Sequence, residues 1–348
     1  MIYKNVEFHN VEELVHNDDG SVSWIRVPLA VFNEMEMRNA QTAAFGAGGV
    51  ELRFVIKGES ATIKMRTYED NPSSIPCFHV FRGAIQGGWE DNEIHTTVTG
   101  EIQEFVIKKA ENIERLQNIH ERTGYDWDPN VVRIIFNSGK FRIYDIIGDV
   151  EPPSSAQTPK TKMLCYGSSI TNGSSALNSA HTWVSILSHN LNVDVFNKGM
   201  PGSCAMEPAI ANYIASEGEK GNWDIATLEL GINVLGWTVE KFRERAENII
   251  KEVALRNPKK PIFVISPFYH CGDEYWDDDN AKFYRVALKE IVEKYNFKNV
   301  TYINGFDVLG SVKYMSADFI HPNIYGMQKI ADALTEKLSK ALNIKPIK

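Results

Sequence analysis

From residue 161 onward, short apolar runs alternate with longer amphipathic ones, and this alternation constrains the fold of the 348-residue chain more than any other feature. The apolar runs fall at 162–166, 193–197, 225–230, 261–266 and 300–304 and have strand length. Helical spacing between them predicts helices at about 181–190, 206–216, 239–256 and 280–295, and a last one at 323–342. In that last segment Ile324, Met327, Ile330, Ala331, Leu334 and Leu338 share one face. Pro322 suits the first helical position, where its missing N–H costs nothing. Alternating strand–helix units imply a parallel sheet with helices on both faces, and ligands then bind beyond the C-terminal strand ends.

Residues 1–150 follow a different pattern. Short apolar or alternating runs recur at 23–27, 50–56, 61–66, 77–82, 102–108, 131–136 and 141–147. Turn formers separate them, as in Ala47-Gly48-Gly49, Glu69-Asp70-Asn71-Pro72 and Asn137-Ser138-Gly139. This spacing predicts an all-β sandwich or jelly roll, with residues 112–122 as a short helix or a loop. The Pro- and Ser-rich stretch 151–161 resists both helix and ladder and reads as a linker. The expected organisation is an accessory β-sandwich at 1–150, the linker, and an α/β unit at 162–348.

Composition narrows the class of partner. A net charge of −8 with no basic block argues against nucleic acid and anionic membranes. Cys77, Cys165, Cys204 and Cys271 lie far apart without metal-type pairing and read as free thiols. The first twenty residues hold no apolar leader, so a cytoplasmic location is the expectation, with a trimmed secreted form as the alternative.

The strand ends carry the chemistry. After the first comes Gly167-Ser168-Ser169, and after the second Lys198-Gly199-Met200-Pro201-Gly202. Gly231-Ile232-Asn233 follows the third, and Asp318-Phe319-Ile320-His321-Pro322 lies beyond the fifth. A serine hydroxyl needs a base to become a nucleophile, and His321 can be that base. Asp318, three residues earlier, can accept from the imidazole and hold its tautomer. The backbone N–H groups of Ser169 and Gly202 and the side-chain amide of Asn233 are candidate oxyanion donors. Glycine at 202 lets a ligand approach the backbone without a Cβ in the way.

These blocks resemble the SGNH hydrolases, the GDSL esterase/lipase superfamily. Gly167-Ser168-Ser169-Ile170-Thr171 is similar to its first block, with Ser169 as the nucleophile. Asn197-Lys198-Gly199-Met200-Pro201-Gly202 resembles the second, Gly231-Ile232-Asn233 the third, and Asp318-Phe319-Ile320-His321-Pro322 the fourth. Gly326 in the following helix also fits. The resemblance spans residues 162 to 342. It implies a flavodoxin-like three-layer α/β/α domain with a five-stranded parallel sheet and a catalytic triad of Ser169, His321 and Asp318. It implies an oxyanion hole of Ser169, Gly202 and Asn233, and no metal or organic cofactor. Ser168 stands where the family usually has Asp, and Val234 where Asp often follows the Asn. The hydrogen bonds bracing the nucleophile loop are therefore expected to differ. A β-rich domain before an SGNH domain also resembles some carbohydrate esterases that remove acetyl groups from polysaccharides, a likeness of architecture alone.

Taken singly, each of these residues has a plainer reading. Ser169 would be a turn residue, Asp318 a helix cap, His321 a surface histidine and Asn233 an ordinary loop residue. Their occurrence in order sets the plain reading aside. Around them, His181, Trp237 and His270 are candidate substrate contacts, each weighed against a helix-start, core or rim position. Tyr275-Trp276 offers further sugar-stacking faces, and Asp277-Asp278-Asp279 reads as charge favourable at a helix start. Cys204 reads as a small buried hydrophobe.

The expected function is a serine esterase acting on short acyl esters, acetyl first, carried on carbohydrate, with a small-molecule or oligosaccharide ester as the substrate. The alternatives are a lysophospholipase or thioesterase of the same superfamily, or a glycan-binding protein with a weakened hydrolase domain. The sequence leaves the oligomeric state open.

Overall fold

Five strands form the expected parallel sheet: β1 (Lys162–Gly167), β2 (Asp194–Gly199), β3 (Ile225–Glu229), β4 (Ile262–Ile265) and β5 (Val300–Ile303). The computed structural model describes residues 1–69, 76–91, 95–98, 100–137, 139–275 and 280–347. The strands lie in the order β2-β1-β3-β4-β5, all parallel. This is the flavodoxin-like order, which opens a crevice where the winding reverses beside β1.

Helices α1 (Trp183–Leu191), α2 (Pro208–Glu219), α3 (Val239–Arg256), α4 (Asn280–Tyr295) and α5 (Ile324–Leu342) cover both faces. Strand alternation sorts the side chains. Leu164 and Tyr166 point into a core shared with Ile214, Ile249 and Leu288. Met163 and Cys165 point into the opposite core with Trp183, Leu187, Met327 and Leu334. Both faces of β1 are thus apolar, which is why such strands read as continuous hydrophobic runs.

Two details at α5 correct the sequence reading. Pro322 is not the first helical residue. Asn323 is the N-cap, its side-chain oxygen accepting from the N–H of Gly326, and Pro322 precedes it in a bridge to Met315. Ile324 faces outward, while Met327, Ile330, Ala331, Leu334 and Leu338 are buried.

The antiparallel strands of residues 2–151 form two sheets. One runs Ile2–Tyr3, Val6–His9, Glu51–Ile56, Val131–Phe136, Cys77–Arg82, Ile85–Gln86. The other runs Gln103–Lys108, Ser60–Glu69, Lys140–Ile147, Val22–Ile25, Glu13–His16. Phe8, Trp24, Phe54, Phe78, Phe136 and Phe141 fill the space between them. Residues 151–161 are tied down along the surface, with Gln157 accepting from the Asp128 N–H through its carbonyl and donating to the Asp128 carboxylate.

Two short helices, Leu29–Glu34 and Arg38–Ala44, interrupt the β-rich region where the sequence shows no helical stripe. Val31, Phe32, Met35, Ala40 and Ala44 pack into the core of the α/β unit, not into the sandwich. Helices this short have little stability of their own, so their existence depends on that tertiary contact. Residues 113–123 do form a helix, ended by left-handed Gly124.

The sandwich docks on the outer edge of β2. The carbonyls of Val195, Asn197 and Gly199 point away from β1 and would otherwise be an open sheet edge. His9 Nε2 lies 2.7 Å from Val195 O, Asn10 donates to Asn197 O at 2.8 Å, and Arg26 donates to Asn197 O and Gly199 O, each at 2.9 Å. Arg53 makes a bidentate pair with Asp194 at 2.8 and 3.0 Å and also binds Glu51. Among the described residues, no helix is long and apolar enough to cross a membrane.

Candidate active site

The turn after β1 is a four-residue helix, Ser169–Asn172. Ser168 caps it, its hydroxyl accepting from the Ile170 N–H at 3.1 Å. As the first residue inside the turn, Ser169 has a backbone N–H that no intrahelical carbonyl can reach. Gly199 makes room for this turn: a Cβ there would lie 2.4 Å from the backbone nitrogen of Asn172.

Hydrogen bonds lace the neighbouring loops to it. Met200 N–H donates to Gly167 O at 2.8 Å, and the Asn197 amide donates to Thr171 O at 2.8 Å. Cys204 N–H donates to Asn233 Oδ1 at 3.0 Å. That bond sets the Asn233 amide, because a backbone N–H can only donate, and turns Nδ2 away from Cys204. Gly202 sits exposed between these anchors at φ +65°, and a Cβ there would meet open space. The glycine is therefore required by its left-handed backbone; no protein atom crowds the position.

His321 Nε2 lies 2.8 Å from Ser169 Oγ, and His321 Nδ1 lies 2.6 Å from Asp318 Oδ2. The other Asp318 oxygen accepts from the N–H groups of Ile320 and His321, each at 2.9 Å, and from Ser316 Oγ at 2.7 Å. Phe319 takes a left-handed φ of +54° to close this loop. Partial burial opposes charge on Asp318, but the hydrogen bonds from His321, Ile320 and Ser316 outweigh it and hold the carboxyl well below the usual range. An ionised carboxylate only accepts, so Nδ1 carries the imidazole proton and Nε2 is free to accept from the serine hydroxyl.

One residue of the site escaped the sequence reading. Glu229, at the end of β3, is fully buried, and its Oε2 accepts from Ser168 N–H at 2.7 Å and Thr171 Oγ at 3.1 Å. Burial raises its pKa, partly offset by the Ser168 and Thr171 hydrogen bonds. The loop therefore does rest on a carboxyl group, but it comes from β3 and not from position 168. The available signal was an acid inside the apolar run Ile225-Ala226-Thr227-Leu228-Glu229-Leu230, where an unpaired charge is costly.

Among the other candidates, His270 neighbours the Asp318–His321 loop, since Cys271 N–H donates to Phe319 O at 2.8 Å. His270 is buried, with Nδ1 accepting from the Gly272 N–H at 3.3 Å, so its ring serves a turn and offers no surface to a substrate. Trp237 packs against the core with Lys241 Nζ 4.1 Å above its ring. His181 is exposed and faces a cavity of about 330 Å³ beside Trp127 and His189, between the sandwich and α1. Cys204 is buried, and burial pushes its thiol far up, as befits an inert thiol. Tyr275 is exposed, whereas Trp276 and Asp277-Asp278-Asp279 lie outside the described residues.

The family model described as GDSL-like lipase/acylhydrolase matches residues 160–339. No curated protein matches the chain in sequence. Among solved structures, it is similar to the salicylyl-acyltransferase SsfX3 of a tetracycline biosynthetic pathway, with TM-score 0.79 and 17% identity over 99% of this chain and 97% of that one. It is also similar to a Bacteroides ovatus protein described as a GDSL-like lipase, with TM-score 0.70 and 19% identity over 99% of both chains. A family two carbohydrate esterase from Cellvibrio japonicus matches with TM-score 0.63 and 13% identity over 97% of this chain and 96% of that one. At these identities the structural likeness speaks to the fold, and it extends over both the sandwich and the α/β unit.

Proposed function

The chain belongs to the GDSL-like lipase/acylhydrolase family, and from that premise we propose that it is a serine esterase removing short acyl groups, acetyl above all, from a carbohydrate ester. Ser169 Oγ attacks the ester carbonyl while His321 Nε2 takes its proton. Asp318 stabilises the imidazolium that results. The N–H groups of Ser169 and Gly202 and the Nδ2 of Asn233 bind the oxyanion. His321 then protonates the departing alkoxide, and a water activated by the same imidazole releases the acid from Ser169. The single observation that carries this reading is the run of short contacts from Ser169 Oγ through His321 to Asp318, 2.8 and then 2.6 Å.

The architecture shared with the carbohydrate esterase supports the choice of a sugar ester. The test is turnover of p-nitrophenyl acetate, longer p-nitrophenyl esters and acetylated sugars by the purified protein. We expect acetyl esters to be preferred and Ser169→Ala to lower kcat by about 10⁴-fold or more. Turnover surviving that substitution would remove Ser169 as the nucleophile. Absence of turnover on every ester, with glycan binding retained, would favour a binding protein.

A second reading is acyl transfer to an alcohol, which the likeness to the salicylyl-acyltransferase favours. The same acyl-enzyme serves both outcomes. A new sugar ester formed from p-nitrophenyl acetate and a free sugar would mark transfer.

A further inference from the structure

A cavity of about 290 Å³ opens beside the nucleophile turn, and one of its walls is not part of the α/β unit. On one side it is lined by Asn172 and Pro201, which belong to the loops carrying Ser169 and Gly202. Ser169 and Asn172 lie three apart in one helical turn, a spacing that puts side chains on the same face. On the other side it is lined by Asn39, Thr42, Ala43 and Gly46. Their spacing of three, four and seven residues is one face of the helix Arg38–Ala44, continued into the turn that follows. The two walls touch: a Cβ on Gly48 would lie 2.2 Å from Asn172 Oδ1.

The helix is held rigidly in this position. Glu207, buried at the start of α2, accepts from the N–H groups of Glu36 and Met37 at 2.9 and 3.1 Å just before the helix begins. Arg26, fully buried, donates to Ala43 O at 2.8 Å near its end and also to Gly199 O at the end of β2, just before the loop that carries Gly202. The same guanidinium thus fixes the helix and the candidate oxyanion loop relative to each other. A wall anchored this way suits a recognition surface.

The chemistry of the lining selects the ligand. No described lining residue is charged or aromatic. Among the described lining residues there is no cation to pair with a carboxylate or phosphate, and no long apolar surface for an acyl chain. What the cavity offers is amides and a hydroxyl. Thr42 Oγ donates to Arg38 O at 3.2 Å, which leaves its oxygen as an acceptor, and Asn39 is exposed with both donor and acceptor capacity.

We propose that the helix Arg38–Ala44 forms one wall of the substrate site, where Asn39 and Thr42 bind hydroxyl groups of a neutral, hydroxyl-rich alcohol portion of the ester. The inference rests on the serine-esterase reading, and it makes the N-terminal region a determinant of substrate choice.

The test is the ratio of kcat/KM on partially acetylated xylobiose to kcat/KM on p-nitrophenyl acetate, in the full chain and in the double variant Asn39→Leu/Thr42→Val. The ratio should fall about fivefold or more, the effect of at least one lost neutral hydrogen bond, and the loss should sit in KM. An unchanged ratio at an unchanged Tm overturns the proposal. If the double variant unfolds, Asn39→Ala alone is read in the same way. Ser169→Ala separates the two claims. Turnover surviving Ser169→Ala, with the ratio still shifted by the double variant, leaves the pocket standing and removes the serine. If the parent hydrolyses neither ester, titration with free xylobiose decides: binding that weakens in the double variant supports the pocket, and no binding to the parent overturns it.

Discussion

Ser169, His321 and Asp318 illustrate two kinds of legibility. Asp318 and His321 are three apart, and the loop between them is closed by the aspartate's own hydrogen bonds to Ile320 and His321 N–H, so their pairing is a local matter. Ser169 meets them across 152 positions of chain, and only the ordered blocks in the sequence pointed there. Glu229 shows in the sequence only as an acid within an apolar strand, which states nothing about what lies above it. Its substitutions separate hydrogen bonding from charge. Glu229→Ala leaves Ser168 N–H and Thr171 Oγ without their acceptor and should cost about 2–4 kcal/mol of stability together with much of kcat. Glu229→Gln keeps an acceptor and removes a group that must be buried charged or bind a proton. Because burial raises the folded pKa, the native glutamate weighs against folding as pH rises. We expect Glu229→Gln to match or exceed the parent in Tm at pH 8, with the gap closing at acid pH. A Tm lower than the parent's throughout would mean that the ionised carboxylate is what holds the loop.

The element that most needs explanation is β2. A terminal strand of a parallel sheet exposes alternate carbonyls, and here His9, Asn10 and Arg26 satisfy them from another part of the chain. Arg26 has no carboxylate among its hydrogen-bond partners, and burial lowers its pKa to about 10. Lys198, buried on the same strand, donates to Glu12 and to Arg26 O, and burial lowers its pKa as well. None of these contacts leaves a periodic trace in the sequence, since each pairs one polar side chain with a backbone carbonyl or a distant charge. The short helices at 29–44 were missed for the same reason, their apolar residues being spent on a distant core. The bidentate pair of Arg53 and Asp194 anchors the start of β2 at low exposure. Removing one member of a buried pair strands the other, so Asp194→Ala should destabilise by about 3–5 kcal/mol. Urea unfolding measures this, and a change below about 1 kcal/mol would place the pair among surface-like ion pairs.

Across the whole molecule, the sandwich does three things at once: it covers the edge of β2, contributes short helices to the α/β core, and supplies one wall of a cavity beside Asn172, in the turn that Ser169 opens. A fragment beginning at residue 160 would expose that edge and the apolar surface beneath Val31, Met35 and Ala40. We expect such a fragment to aggregate or to lose a cooperative unfolding transition. A soluble fragment with the parent's kinetics would show that the N-terminal region is dispensable to the site. The primary structure alone settled the strand–helix alternation, the β-rich first part and the order of the blocks carrying Ser169, Gly202, Asn233 and His321. Periodicity and turn chemistry are local, and they survive in a list of residues. Tertiary structure alone decided that Glu229 lies under the turn that carries Ser169, that His270 is buried, and that Arg26 joins the two halves. Those facts depend on which surfaces meet after the chain has closed over long distances, and a polar side chain destined to be buried is spelled in the same way as one left in water.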